Sequence, residues 1–160
     1  MTDAFDVRPV RDEDLGDLLP LVRAYLDFYE CHDVGDAEML DLSRALLADP
    51  EKEGVQFLAR RRADGAAVGF ASLFWSWTTT RGGRLGVMND LYVAPEARGS
   101  GLAETLIEAC AQRCRERGTR WLQWQTAPDN DRAQAVYDRV GARQSRWLDY
   151  ALDVRGREGT

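Results

Sequence analysis

The chain has 160 residues, with 27 acidic against 21 basic side chains and a net charge of −6. That length suits one domain with a full core, and the acidic balance argues against a protein that binds nucleic acid over its whole surface. No apolar run approaches the ~18 residues of a membrane span. The acidic start, Met1-Thr2-Asp3-Ala4-Phe5-Asp6, carries no apolar signal segment, so the expectation is a cytoplasmic protein.

In chain order, residues 7–10 read as a short first strand, and Asp12 as the N-cap of the helix that follows. Leu15, Leu18, Leu19, Val22, Leu26 and Tyr29 recur at helical spacing. Pro20 falls early enough in that helix to be tolerated. The acidic run Asp12-Glu13-Asp14 reads as electrostatic capping of the same helix. Residues 31–36 read as a loop and 37–48 as a second helix, closed before Pro50. A strand is expected over 55–61, and Asp64-Gly65 is a hairpin signal. A long strand over 67–77, a polar turn over 78–83 and a strand over 85–93 follow.

Residues 102–117 form the strongest helical pattern, with Ala103, Leu106, Ile107, Cys110 and Cys114 on one side and Gly118 as its C′ residue. Two thiols four apart share a helix face, but no nearby Cys or His completes a metal site, so no metal is expected and both read as small buried residues. With Cys31 they make three cysteines, an odd count that argues against a disulfide framework. A strand over 121–126, a helix over 131–140 ended by Gly141, a last strand over 147–154 and a frayed tail after Arg155 complete the reading. A helix joining strands 85–93 and 121–126 requires a parallel crossover, whereas the earlier strands are hairpin-linked. The expected architecture is α/β (α+β), a mixed, mostly antiparallel sheet with helices on both faces.

Two segments carry chemistry. The first runs Leu91-Tyr92-Val93-Ala94-Pro95-Glu96-Ala97-Arg98-Gly99-Ser100-Gly101-Leu102-Ala103. A strand breaks at a proline, turns through glycines and opens into a helix, which gathers backbone N–H groups at a helix N-terminus, where a phosphate-bearing ligand can be held. A P-loop would need a Lys that is absent, and a dinucleotide fingerprint would need Gly or Ala where Glu104 stands. An Arg-x-x-Gly-x-Gly/Ala pyrophosphate loop for coenzyme A fits; the ordinary alternative is a plain strand-to-helix turn. The second segment is Asn130-Asp131-Arg132-Ala133-Gln134-Ala135-Val136-Tyr137, then Gly141-Ala142. Asn130 reads as an N-cap, and Ala133 and Tyr137 lie one above the other. A phenol with a pKa near 10 suits protonation of a departing thiolate, while a core tyrosine is the ordinary alternative.

Asn89-Asp90-Leu91-Tyr92-Val93, the Arg98-to-Ala103 loop and the Asn130…Tyr137…Gly141 segment together resemble the GNAT superfamily of acetyl-CoA-dependent N-acetyltransferases, in particular its spermidine/spermine and related small-amine branch. The resemblance covers 85–142, and the amino-terminal half carries no specific motif. It implies a sheet splayed between strands 4 and 5, with a bulge near the splay. The main chain of Leu91, Tyr92 and Val93 would bond the pantetheine amides there and polarise the thioester carbonyl. The amides of Arg98, Gly99, Ser100, Gly101, Leu102, Ala103 and Glu104 would hold the pyrophosphate, Asn130 and Ala133 would lie along the lower arm, and Tyr137 would protonate the leaving thiolate.

Many relatives have Glu where this chain has Asn89, which cannot act as a base. Asp90 is the adjacent carboxylate, but strand alternation points it to the opposite face unless a bulge intervenes. Its roles as base or as structural hydrogen-bond partner both stay open, and Asn89 is a candidate to orient a proton-relaying water. Glu30, His32 and Asp33 fall in a loop that covers the acceptor pocket in such folds, and Trp75, Trp77, Trp124 and Tyr29 are candidates to line it. The expected function is a single-domain N-acetyltransferase over 1–155 that moves an acetyl group to a small primary amine in a ternary complex. The alternatives are a protein or peptide N-acetyltransferase and a non-catalytic acyl-CoA-binding module. The resemblance also implies a homodimer, with 147–154 as the candidate contact strand.

Overall fold

The computed structural model describes residues 4–155. Five strands form one sheet in the order β1-β2-β3-β4-β5: β1 (Phe5–Pro9), β2 (Gly54–Arg61), β3 (Ala67–Thr78), β4 (Gly83–Val93) and β5 (Leu122–Gln123). The first four pair antiparallel, and β5 runs parallel to β4. The helices are α1 (Leu15–Phe28), α2 (Asp36–Ala48), α3 (Leu102–Glu116) and α4 (Asp131–Arg139). Short 3-10 turns precede α1 at Asp12–Asp14 and follow β4 at Pro95–Ala97.

Strand alternation assigns the two faces of the sheet. A Cβ on Gly69 would meet Leu102 and Leu106 of α3, and one on Gly86 would meet Cys114 of α3. Phe70, one step along β3, instead touches Tyr25 of α1 edge-on at 5.9 Å. The helices therefore cover both faces, as the hydrophobic pattern requires. The α3 stripe of Leu102, Leu106, Ile107, Cys110 and Cys114 is almost wholly buried. At Asp64-Gly65 the hairpin forms as expected: Asp64 accepts from the Ala66 amide at 3.1 Å, and Gly65 takes a φ of +73°.

The structure corrects several expectations. The N-cap position of α1 is Asp14, not Asp12, and Asp14 makes no side-chain cap bond to that helix. It is 2% exposed and receives both guanidinium nitrogens of Arg8 at 2.7 and 2.8 Å, Arg60 at 2.9 Å and the Arg11 amide at 2.9 Å. Arg8 above all, with Arg60 and the Arg11 amide, holds its carboxyl far below the usual range despite burial. The strand expected over 121–126 shrinks to Leu122–Gln123, because β5 pairs only with Gly86 and Val87 before the two strands part. The strand expected over 147–154 does not form: the segment has no ladder partner among the described residues. The frayed tail expected after Arg155 lies at residues outside those described.

Candidate active site

The parting of β4 from β5 creates the site. β4 stays paired with β3 up to Val93, so its other edge, from Met88 to Val93, faces no strand among the described residues. The divergence coincides with a β-bulge. Ser72 pairs with Asp90 and Leu73 with Met88, which leaves Asn89 as the extra residue on β4. An inserted residue resets side-chain alternation. Met88 points to the α3 face with Leu73, and Asp90, instead of following it there, falls on the α1 face opposite Ser72. The condition set by the sequence for Asp90 is thus met.

That placement puts Asp90 at the end of a polar row crossing three strands. Gln56 and Ser72 are register partners and so are Ser72 and Asp90. The Gln56 Nε2 donates to Ser72 Oγ at 3.1 Å, with both residues buried. Asn89 Nδ2 donates to Asp90 Oδ1 at 3.0 Å. From α1, the Tyr25 hydroxyl reaches the Asn89 carbonyl at 3.5 Å. Burial raises the Asp90 pKa above the ordinary carboxylate value, while Ser72, Tyr25 and Asn89 pull it back by bonding the charged form. Burial, and next the Asp90 charge, lift the Tyr25 hydroxyl far above its usual value, so it stays a donor at any working pH. Sequence reasoning missed Gln56, Ser72 and Tyr25. The signal was present: two polar side chains at same-face positions of otherwise apolar strands.

Past the end of β4 the chain makes the expected glycine turn. Arg98 Nε donates to the Val93 carbonyl at 3.0 Å, tying the loop to the strand end. Gly99 and Gly101 take φ values of +75° and +82°, a region costly for other residues. Ser100 Oγ donates to the Ala97 carbonyl at 2.5 Å, and Gly101 caps α3 without a side-chain bond. The amides of Gly99 through Glu104 have no acceptor among the described residues. They form a cluster of free donors at the positive end of the α3 dipole. Ala103 is half-buried and the Leu102 side chain is 1% exposed, so Leu102 faces a ligand through its main chain alone. Glu104 would oppose an anion, but Arg139 of α4 binds its carboxylate at 2.8 and 3.0 Å and lowers its pKa.

On the far side of the opening, Asn130 caps α4 by accepting from the Ala133 amide at 3.1 Å. Its side-chain oxygen is committed to that bond. One turn on, Tyr137 is half-buried and meets Trp124 edge-to-face at 5.3 Å. Burial raises the Tyr137 pKa, with Tyr29 adding to it and Thr126 opposing it. Its hydroxyl therefore carries a proton at neutral pH. Tyr29 meets Tyr25 at a tilt, 4.9 Å between rings, and Phe28 edge-on at 5.1 Å, which brings an aromatic group from the end of α1 to the same opening.

The other candidate wall residues separate. Trp124 and Tyr29 border the opening. Trp75 donates to the Pro50 carbonyl at 2.9 Å and lies under Arg117, and Trp77 lies under Arg84, so both stand at the opposite end of the sheet. Their aromatic character made them candidates; their position along β3 removes them. Glu30, His32 and Asp33 are exposed in the loop after α1, and His32 Nδ1 lies 3.8 Å from Asp27.

An open strand edge that continues into a cradle of free amides suits a ligand with amide groups in its arm and phosphates at its end. Comparison with known proteins agrees. The Acetyltransferase (GNAT) family matches the chain over residues 19–142. The uncharacterized N-acetyltransferase YhfO of Bacillus subtilis is 26% identical over 151 residues, covering 93% of this chain and 97% of that protein. The D-amino-acid N-acetyltransferase HPA3 of Saccharomyces cerevisiae is 33% identical over 111 residues, 69% of each chain. A solved structure of AAC(6')-Iy in complex with the bisubstrate analog CoA-S-monomethyl-acetylneamine shares the fold with a TM-score of 0.77 at 24% identity, covering 92% of this chain and 97% of that one. The chain belongs to the GNAT family and is an N-acetyltransferase that uses acetyl-CoA as its co-substrate.

Proposed function

We propose that this enzyme acetylates a primary amine of a small molecule by direct attack in a ternary complex, with residues 1–155 as one catalytic domain. The observation that carries the reading is the opened β4 edge, with the Asp90 carboxylate on one side of it and the Tyr137 hydroxyl on the other. The pantetheine arm lies along the main chain of Leu91, Tyr92 and Val93. The amides of Gly99 through Glu104 take the pyrophosphate, the Arg98 amide being held by the Pro95 carbonyl at 3.3 Å, and Asn130 and Ala133 flank the lower arm. One β4 amide polarises the thioester carbonyl as charge develops on its oxygen.

An ammonium cannot attack, so Asp90 accepts its proton, directly or through a water held by Asn89. The amine nitrogen forms a bond to the acetyl carbon and the carbon–sulfur bond breaks. Tyr137 gives its proton to the departing thiolate, so amide and free coenzyme A leave. The acceptor is small because the opening is walled by Tyr25, Tyr29 and Trp124, and an acidic chain favours a cationic acceptor. HPA3, named for amino acids, and AAC(6')-Iy, crystallised with an acetylneamine analog, support that class. We infer a homodimer as well, supported by the exposed apolar segment 147–154, which joins no strand ladder among the described residues.

An acceptor screen following thiol release from acetyl-CoA tests the reading. Turnover is expected with polyamines, amino acids or aminoglycosides. Turnover with peptide N-termini or protein lysines alone would move the enzyme to another substrate class, and none with any amine would leave a binding module.

A further inference from the structure

Gln56 and Ser72 interrupt an otherwise apolar part of the sheet. Both are buried, at 5% and 0% exposure. The same-face rows on either side carry no polar side chain: Leu58 pairs with Phe70, and Gly54 with Phe74. Packing alone therefore asks for an apolar pair between them. A buried amide costs free energy unless it is bonded, and replacing both members of such a pair by apolar groups is often close to neutral. The row does not end at Ser72. It continues onto β4, where Asp90 stands opposite that serine.

The hydrogen bonds along this row run one way. A serine hydroxyl has one proton to donate and lone pairs to accept with, whereas an ionised carboxylate only accepts. Gln56 Nε2 donates to Ser72 Oγ at 3.1 Å. The Ser72 proton is thus left for Asp90, whose charged form it bonds. Resting on the reading of Asp90 as the base, we propose that Gln56 and Ser72 are positioning residues for acetyl transfer. The Gln56 amide turns the Ser72 hydroxyl towards Asp90, and that hydroxyl holds the carboxylate in one orientation, ready for the amine proton. Gln56 acts from two strands away, since β3 lies between it and β4. The other groups on Asp90 are Asn89 from its own strand, at 3.0 Å, and Tyr25 from α1. Of these only Tyr25 titrates; it keeps its proton, and Tyr29 and Cys31 stand behind it. A shift in the acid limb on changing β2 or β3 therefore reports on Asp90.

The pH profile of kcat/KM tests this, read by thiol release from acetyl-CoA with an amine that turns over in the screen above. Ser72→Ala should move the acid limb up by ~1 pH unit, because the charged carboxylate loses a bond. Gln56→Met should move it the same way by a smaller step, and should add nothing to Ser72→Ala. The double variant strands no buried polar partner within the pair, so it serves where a single one fails to fold. In an Asp90→Asn background, Ser72→Ala should change kcat/KM by less than ~twofold, because no carboxylate remains to be positioned. A limb left in place by both variants would overturn the proposal and keep Asp90 as the base. So would an equal loss of activity with and without the Asp90 carboxylate, the mark of a pair that only supports the fold. A limb that survives Asp90→Asn would remove Asp90 as the base, and this proposal with it.

Discussion

Three side chains separate chemistry from stability at the residue scale. In the proposed mechanism Tyr137→Phe removes only the proton donor, so turnover should fall ~10²-fold or more while affinity for coenzyme A stays within a few-fold. Equal turnover in the two proteins would remove Tyr137 from the reaction. Asp90 must be ionised to accept a proton, and burial raises its pKa. Activity should therefore rise with pH through a value above the ordinary 3.8 and then level. Asp90→Asn should erase that limb and lower kcat/KM by ~10²-fold. Tyr25→Phe should shift the limb while leaving the plateau nearly intact, because Tyr25 positions the carboxylate without touching the amine. Asp14 has no part in transfer. Its depressed pKa means that its contribution to stability is present above the unfolded carboxylate value of 3.8 and is lost as pH falls towards the folded value. Asp14→Asn should cost about 2–4 kcal/mol by urea denaturation, because it leaves the partly hydrated Arg8 without its carboxylate and Arg60 with Asp17 alone, and it should leave the pH profile of turnover unchanged.

Local signals fixed most of the architecture at the element scale, and their failures share a cause. Helices α1 to α3 and strands β2 to β4 were legible because each buries apolar side chains in a pattern, Leu102, Leu106, Ile107, Cys110 and Cys114 on α3 or the near-continuous apolar run of β3. Helix α4, which buries no residue fully, was legible from its Asn130 cap. The 98–104 loop was legible because Gly99 and Gly101 supply turns that few other residues make. Asp14 was misread because a buried triple ion pair depends on Arg60, 46 residues away in the chain. The bulge at Asn89 was expected near the splay, but its consequence, Asp90 turned onto the row of Gln56 and Ser72, depends on a register shift between β3 and β4. β5 was overextended because strand propensity in Trp121 to Thr126 says nothing about whether a neighbour stays within reach. Gly86 shows the same dependence on tertiary contact. A Cβ there would sit 2.5 Å from Cys114 Sγ and 2.9 Å from Leu73 Cδ1, so Gly86→Ala should destabilise the fold by about 1–3 kcal/mol in urea titrations. Cys114→Ala should recover part of that loss in a double-mutant cycle.

On the scale of the whole molecule, the sheet is zipped from β1 to β4 and opened at β5, and the proposed reading seats the co-substrate in that opening. The α3 face is filled by that helix; the α1 face carries the polar row and the aromatic groups proposed to wall the acceptor. No helix among the described residues is long and apolar enough to cross a membrane. The direct measurement is amide hydrogen exchange with and without saturating acetyl-CoA. Ligand seated along an open β4 edge and in the amide cradle should slow exchange at Leu91 to Val93 and at Gly99 to Glu104, and leave β2 unchanged. Acetyl-CoA bound with those amides exchanging as fast as in the free protein would contradict the account.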